Sequence, residues 1–70
     1  MVCNYVSSSN LRQVCYDQQV SVLEITFHGG GKYRYSGVPQ QVYAGLMTAA
    51  SHGKYFARFI KGRYPFLRVR

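Results

Sequence analysis

The hydrophobic pattern of this chain changes period at Gly37-Val38-Pro39, and this change limits the possible folds more than any other feature. Before it, apolar and polar residues alternate along Leu11–Tyr16, Val20–Phe27 and Lys32–Ser36, as they do in half-buried β-strands. Three consecutive glycines at 29–31 permit the positive φ angles that a tight hairpin turn requires. This half of the chain therefore predicts a three-stranded antiparallel meander.

After the change, apolar residues recur at helical spacing. They fall on one face of a helix along Gln40–Ala50, and Pro39 suits the start of that helix because its missing N–H costs nothing there. A second helix is predicted over 54–61, with Ser51 as its N-cap and Gly62 as its C-cap. The expected fold class is α+β, with the element order β-β-β-α-α.

The length of 70 residues fits one domain, spanning 1–70. Residues 1–7 are interpreted as an N-terminal arm and residues 66–70 as a basic tail, neither of which needs to be ordered. A domain this small often gains stability by pairing with a second copy, so a homodimer is expected. No stretch has the length of a membrane span or of a signal peptide, which favours a soluble, cytoplasmic protein.

The charges are unevenly distributed along the chain. Residues 1–31 hold Arg12 and the two acids, Asp17 and Glu24, so their net charge is −1, whereas residues 32–70 hold the other eight cations and no acid. Because the whole chain carries +7, the second part is +8. Such a segment attracts polyanions, and nucleic acid is the first candidate.

Several short blocks resemble the KTSC domain, a small family named for its similarity to a C-terminal appendage of some lysyl-tRNA synthetases. The blocks are Ser8–Leu11 with Tyr16-Asp17, Tyr33–Pro39, and Gly53–Phe56 with Tyr64-Pro65. Cys15 departs from the family, which usually has Gly before the Tyr-Asp pair. The resemblance implies a three-stranded meander followed by two helices, and it suggests nucleic-acid contact by analogy with the synthetases.

The residues give little support for catalysis, so no catalytic residue and no cofactor are expected. One Asp and one Glu are few parts for a paired-carboxylate mechanism. A zinc site from Cys3, Cys15, His28 and His52 would lack any short Cys-x-x-Cys or His-x₃-His unit, so no metal site is expected. Without a sign of an oxidising compartment, Cys3 and Cys15 are expected to be free thiols.

The preferred function is nucleic-acid binding by a homodimer of ribbon-helix-helix character, in which outward side chains of the third strand enter the major groove of DNA. The expected contact residues are Lys32, Arg34, Ser36, Lys54, Arg58, Lys61 and Arg63. Two alternatives stay open. One is an RNA-binding module in which tyrosines stack on unpaired bases. The other is a protein-interaction module that uses a sheet edge and docks an acidic partner on the basic face.

Overall fold

The structure, a computed structural model, describes residues 1–70 and contains one antiparallel sheet and two helices. The elements are β1 (Val2–Tyr5), β2 (Leu11–Asp17), β3 (Val22–Phe27), β4 (Lys32–Ser36), α1 (Gln40–Thr48), α2 (His52–Phe59) and β5 (Phe66–Arg68). The five strands lie side by side in chain order, and the two helices are inserted between β4 and β5. No helix is both long and apolar enough to cross a membrane.

The α+β class, the three central strands and the two helices are as the sequence predicts, but the strand count is wrong because both ends of the chain add a strand. The expected arm at 1–7 contains β1, which pairs with β2, and the expected tail at 66–70 contains β5, which pairs with β4. Every residue of these two strands is exposed, so neither carries the apolar alternation of a half-buried strand. Backbone hydrogen bonds hold β5 in place, such as the one that the Val69 N–H donates to the Lys32 carbonyl at 2.7 Å.

Both helices pack on one face of the sheet. This inner face presents Val14 and Tyr16 from β2, Leu23 and Ile25 from β3, and Tyr35 from β4, which cluster with Leu46 of α1 and Phe56 of α2. The core also contains a buried hydrogen bond, in which the Tyr16 hydroxyl donates to the Val38 carbonyl at 2.6 Å. The opposite, outer face carries no helix.

The sequence pattern predicts that Leu11, Gln13 and Cys15 share one side of β2, but a bulge separates Leu11 from the other two. The register with β3 shifts between Leu11 and Gln13, so Leu11 faces the helices while Gln13 faces away. From Gln13 on the strand alternates as predicted, with Val14 pointing inward and Cys15 pointing to the outer face. A bulge inverts the facing of every later residue because side chains alternate with a period of two.

The two cysteines form a disulfide, which corrects the expectation of free thiols. Cys3 of β1 lies directly opposite Cys15 of β2, with a Cα–Cα distance of 3.9 Å. The earlier expectation rested on the compartment, whereas the pairing depends on a strand that the sequence pattern did not reveal. The bond joins the exposed edge strand to the buried strand beside it.

Small residues lie at the two ends of α2 and at the contact between α1 and α2. Ser51 is the N-cap of α2, as predicted, and its hydroxyl accepts a hydrogen bond from the Lys54 N–H at 3.2 Å. Gly62 lies just beyond α2 with φ of 76°, which favours glycine there. Gly45 lets α1 approach α2, because a Cβ on Gly45 would overlap the hydroxyl and ring of Tyr55.

Candidate nucleic-acid interface

A groove lined by aromatic rings opens between the end of α2 and strands β4 and β5. We call it the aromatic groove, and its volume is about 460 Å³. Its lining residues are Phe27, Gly30, Tyr33, Tyr35, Phe56, Lys61, Gly62 and Phe66. Strand alternation places Tyr33 and Tyr35 on the inner face, where Tyr35 is buried against Phe56 of α2 and Tyr33 is only half-buried.

The five rings of the aromatic groove hold one another in fixed orientations. Phe27 meets Tyr33 and Phe56 edge-on, with ring centroids 5.7 and 5.4 Å apart. Phe66 contacts Tyr33 and Tyr35 at tilted angles, with centroids 5.7 and 5.6 Å apart. Phe66 is nevertheless 56% exposed and Tyr33 is half-buried, so the groove offers aromatic surface to a ligand.

The hydroxyl of Tyr35 stays protonated over a wide pH range. Burial raises the pKa of Tyr35 above its ordinary value of 10.0, and the nearby Tyr33 raises it further. A tyrosine hydroxyl is neutral at pH 7 even at its ordinary pKa, so the raised pKa of Tyr35 matters in alkaline solution alone.

The charges around the aromatic groove are positive. Lys61 lines it, and the guanidinium of Arg68 lies 5.8 Å from the centre of the Tyr33 ring. Neither carboxylate of the chain lines the groove. Asp17 lies at the other end of β2, where it accepts a hydrogen bond from the Gln19 N–H at 3.0 Å. Glu24 lies on the outer face, so no side-chain carboxylate competes for Lys61, whereas Arg68 Nε donates a hydrogen bond to the Arg70 carbonyl at 3.0 Å.

The sequence-predicted contact residues lie on two different surfaces. Lys32, Arg34 and Ser36 alternate with the two tyrosines of β4 and point to the outer face. Lys54, Arg58, Lys61 and Arg63 lie on α2 or just after it, on the helix side of the sheet. Of these seven residues, the structure places Lys61 alone in the wall of the aromatic groove. A single ligand face that unites all seven is therefore excluded by the topology.

Arg34 already has a partner. Its guanidinium lies 2.7 Å from the carboxylate of Glu24, directly across from it on β3. The sequence placed Glu24 on the surface, but the residue is 8% exposed because Arg34 and the neighbouring Cys15 cover it. Arg34 thus neutralises a buried acid, and removing it would leave that acid unpaired.

The ribbon-helix-helix arrangement is not compatible with this sheet. It requires the strand that carries Lys32, Arg34 and Ser36 to pair with the same strand of a second copy. Here β4 is hydrogen-bonded to β3 on one side and to β5 on the other, so it has no free edge. The free edges of the sheet belong to β1 and β5.

A second cavity, which we call the polar chamber, adjoins the aromatic groove. It has a volume of about 320 Å³ and shares Phe27, Phe56 and Lys61 with the groove. Its other lining residues are Ser9, Asn10, Leu11, His28, Gly29, Gly53 and Ala57. The ring of His28 contacts the Ser8 carbonyl through Nε2 at 3.0 Å, which fixes the loop that carries Asn10.

Sequence reasoning missed most of these lining residues. Phe66 lies in the segment predicted as a tail, and Phe27 ends a predicted strand without a predicted role in a site. Asn10 belongs to a Ser-Asn block that the family resemblance singled out, although no chemistry was attached to it. The signal that could have pointed to the groove is the aromatic and basic composition of Tyr64–Arg68.

Comparison with known proteins gives a consistent family. The family model of the KTSC domain matches residues 7–64. An uncharacterised protein of Stutzerimonas stutzeri is 37% identical over 65 residues, covering 91% of this chain and 92% of that protein. A crystal structure of a KTSC domain protein from Yersinia pestis has a TM-score of 0.95 and 35% identity, and the match covers 99% of this chain and 97% of that one.

Part of a much larger enzyme also matches. A lysine–tRNA ligase of Nostoc punctiforme is 40% identical over 58 residues, which are 83% of this chain and 10% of the ligase. A lysine–tRNA ligase of Trichormus variabilis is 34% identical over 58 residues, again 10% of that protein. The chain thus spans about a tenth of these enzymes.

Proposed function

The chain belongs to the KTSC domain family, and we propose that this member is a nucleic-acid-binding module whose preferred ligand is RNA with unpaired bases. The observation that carries the proposal is the aromatic groove, a concave site with five rings and Lys61 in its wall and no carboxylate. Aromatic rings stack on unpaired bases, and each such contact contributes roughly 1–3 kcal/mol. Lys61 and Arg68 would contact the phosphates beside the stacked base.

Unpaired RNA suits this site better than duplex DNA for a structural reason. The groove accepts a single flat ring, which a base inside a duplex cannot offer. β4, the strand that would enter the major groove of DNA, is paired with a strand on each side, and its Arg34 forms an ion pair with Glu24. The matching segments of two lysine–tRNA ligases support RNA as well, because a module carried by such an enzyme works close to tRNA.

A protein-interaction module is the second candidate, and one observation favours it. The free edge strands expose large apolar side chains, including Val2 and Tyr5 of β1 and Leu67 of β5, which are 64%, 75% and 65% exposed. A free strand edge can accept a peptide strand or the edge of a second copy, and the expected homodimer and an acidic partner belong to this alternative.

The proposal is tested by fluorescence anisotropy with a labelled oligouridylate RNA, a DNA duplex and heparin as a plain polyanion, each at low and near-physiological salt. We expect the RNA to bind at the higher salt and to resist competition by heparin. Phe66→Ala should weaken RNA binding at least tenfold, the equivalent of about 1.4 kcal/mol, because it removes a stacking surface.

Leu67→Ala is the matched control for that variant. Leu67 is the next residue of the same strand and has similar exposure, but it lies opposite Arg34 and so points to the outer face. Equal losses for the two variants, or equal binding of heparin and RNA by the wild type, would contradict the proposal. Stronger binding of the duplex than of the RNA would indicate that DNA is the preferred ligand.

A further inference from the structure

The aromatic groove and the polar chamber are neighbouring cavities of different chemical character. Phe27, Phe56 and Lys61 line both cavities, so the two lie side by side and share these side chains. The groove is walled mainly by rings, whereas the chamber is walled by Ser9, Asn10 and backbone around the glycines. A ligand that fills both must carry a flat apolar part next to a polar part.

Asn10 is the residue of the polar chamber whose side chain we expect to hydrogen-bond a ligand. Its backbone is fixed, because its N–H donates to the Ser8 hydroxyl at 3.3 Å and its carbonyl accepts the His28 N–H at 2.9 Å. Its side-chain amide makes no hydrogen bond within the chain and is open to solvent. Two N–H donors and one carbonyl acceptor are therefore free to bond a ligand, on a side chain whose backbone is fixed.

Gly53 makes room for this amide. It lies in the first turn of α2, where glycine costs a helix roughly 0.5–1 kcal/mol relative to alanine. A Cβ at this position would come within 3.2 Å of the Asn10 Nδ2 atom, which is closer than an ordinary contact. The absence of a side chain at Gly53 thus preserves the position of Asn10.

We propose that the polar chamber binds the ribose of the nucleotide whose base occupies the aromatic groove, and that Asn10 recognises its 2′-hydroxyl. This inference rests on the proposed function. A ribose joins the flat base to the charged phosphate, and Lys61 stands where the two cavities meet. The 2′-hydroxyl both donates and accepts hydrogen bonds, as the Asn10 amide does, and DNA lacks it. The site therefore selects ribonucleotides over deoxyribonucleotides.

The test compares oligouridylate RNA with an oligodeoxyuridylate of the same length, so that the base is the same and only the 2′-hydroxyl differs. We expect the wild type to prefer the ribo-oligomer about tenfold, as one hydrogen bond to an otherwise unpaired amide allows. Asn10→Ala should lower affinity for the ribo-oligomer about tenfold and leave the deoxy-oligomer unchanged. Gln41→Ala, which removes an exposed amide of α1 that lines neither cavity, is the control.

A second variant tests the role of the Asn10 amide by a substitution in α2, which lies against it. Gly53→Ala favours the helix, so the protein should stay folded, but the new methyl group displaces the Asn10 amide. We expect the preference for the ribo-oligomer to fall in this variant, but by less than in Asn10→Ala, because the amide is shifted by only a few tenths of an ångström.

The outcomes separate this inference from the proposed function. A wild type that binds neither oligomer overturns both. A wild type that binds both equally, with Asn10→Ala unchanged, keeps base binding in the groove and overturns the ribose assignment. If Asn10→Ala weakens both oligomers to the same degree, Asn10 contacts the base or the phosphate, and the assignment is again overturned.

Discussion

At the residue scale, burial both orders the Tyr35 ring and changes the pKa of its hydroxyl. The ring contacts Phe56 edge-on with centroids 5.6 Å apart, and only 5% of the residue is exposed. The same burial raises the pKa of the hydroxyl above 10.0. Ionising Tyr35 in the folded chain therefore requires a more alkaline solution than ionising an exposed tyrosine.

We expect Tyr35 to make the stability of the fold depend on alkaline pH. The folded chain holds the Tyr35 proton to higher pH than the unfolded chain, so its contribution is complete below about pH 10. That contribution is lost as the pH rises through the higher pKa of the folded state. Urea unfolding at several pH values should therefore show a shallower decline for Tyr35→Phe than for the wild type.

Tyr5→Phe is the matched control for the alkaline series, because Tyr5 is 75% exposed and lies outside the core. Its decline should follow that of the wild type. Parallel declines for the wild type and Tyr35→Phe would show that other groups dominate in this pH range.

At the scale of elements, the packing of α1 against α2 depends on Gly45, although glycine has a low helix propensity. Gly45 lies inside α1, and its bare backbone accommodates the Tyr55 ring of α2. The Tyr55 ring in turn packs on Phe59, with centroids 4.7 Å apart. The structure thus identifies the Tyr55 ring as the group that fills the space beside Gly45.

Gly45→Ala should destabilise the protein although alanine favours a helix. The intrinsic gain is about 1 kcal/mol, but the overlap with a packed ring costs typically 1–3 kcal/mol. Chemical unfolding of Gly45→Ala alone and combined with Tyr55→Leu measures the contact. In the Tyr55→Leu background the alanine should be neutral or stabilising, and an equal loss in both backgrounds would contradict the assignment.

The edge strand β1 depends on its covalent bond more than on packing. All four of its residues are exposed, so it adds no side chain to the core. The disulfide closes a loop between positions 12 residues apart, which corresponds to about 3 kcal/mol in the chain-entropy description. Reduction should therefore loosen β1 before the rest of the sheet.

Hydrogen exchange with and without a reductant, and in Cys3→Ala with Cys15→Ala, measures this directly. The amides of β1 should lose protection, while those of β3, which has a strand on each side, should keep it. A uniform loss of protection across all five strands would show instead that the bond supports the whole fold.

At the scale of the whole molecule, the charge of +7 is divided between two faces by the sheet. Lys32 and Arg34 belong to the outer face, while Lys61 belongs to the groove on the inner side. The affinity of a ligand in the groove should therefore depend on Lys61 and not on Lys32 or Arg34.

We expect Lys61→Gln to reduce the salt dependence of RNA binding by about 0.7 in the slope of log affinity against log salt, the effect of losing one phosphate contact on a single strand. Lys32→Gln, which removes the same charge from the outer face, should leave the slope unchanged. The opposite result would move the interface to the outer face, where the sequence first placed it.

The parts of the fold that the sequence predicts are those in which side-chain pattern and burial coincide. β3 and β4 alternate cleanly, and the cap of α2 depends on a local Ser51 contact. β1 and β5 are short, exposed strands fixed by backbone pairing, which side-chain pattern does not encode. The groove was missed for the same reason, because Phe66 reaches it only once β5 pairs with β4.

The strand order has a practical consequence for handling the protein. β1 and β5 form opposite edges of the sheet, four strand spacings or roughly 19 Å apart, so the two ends of the chain leave the domain on different sides. A tag or immobilisation point joined to the N-terminus lies on the edge away from Phe66 and leaves the groove accessible. One joined after Arg70 follows the edge strand that carries Phe66, so binding measurements call for N-terminal attachment.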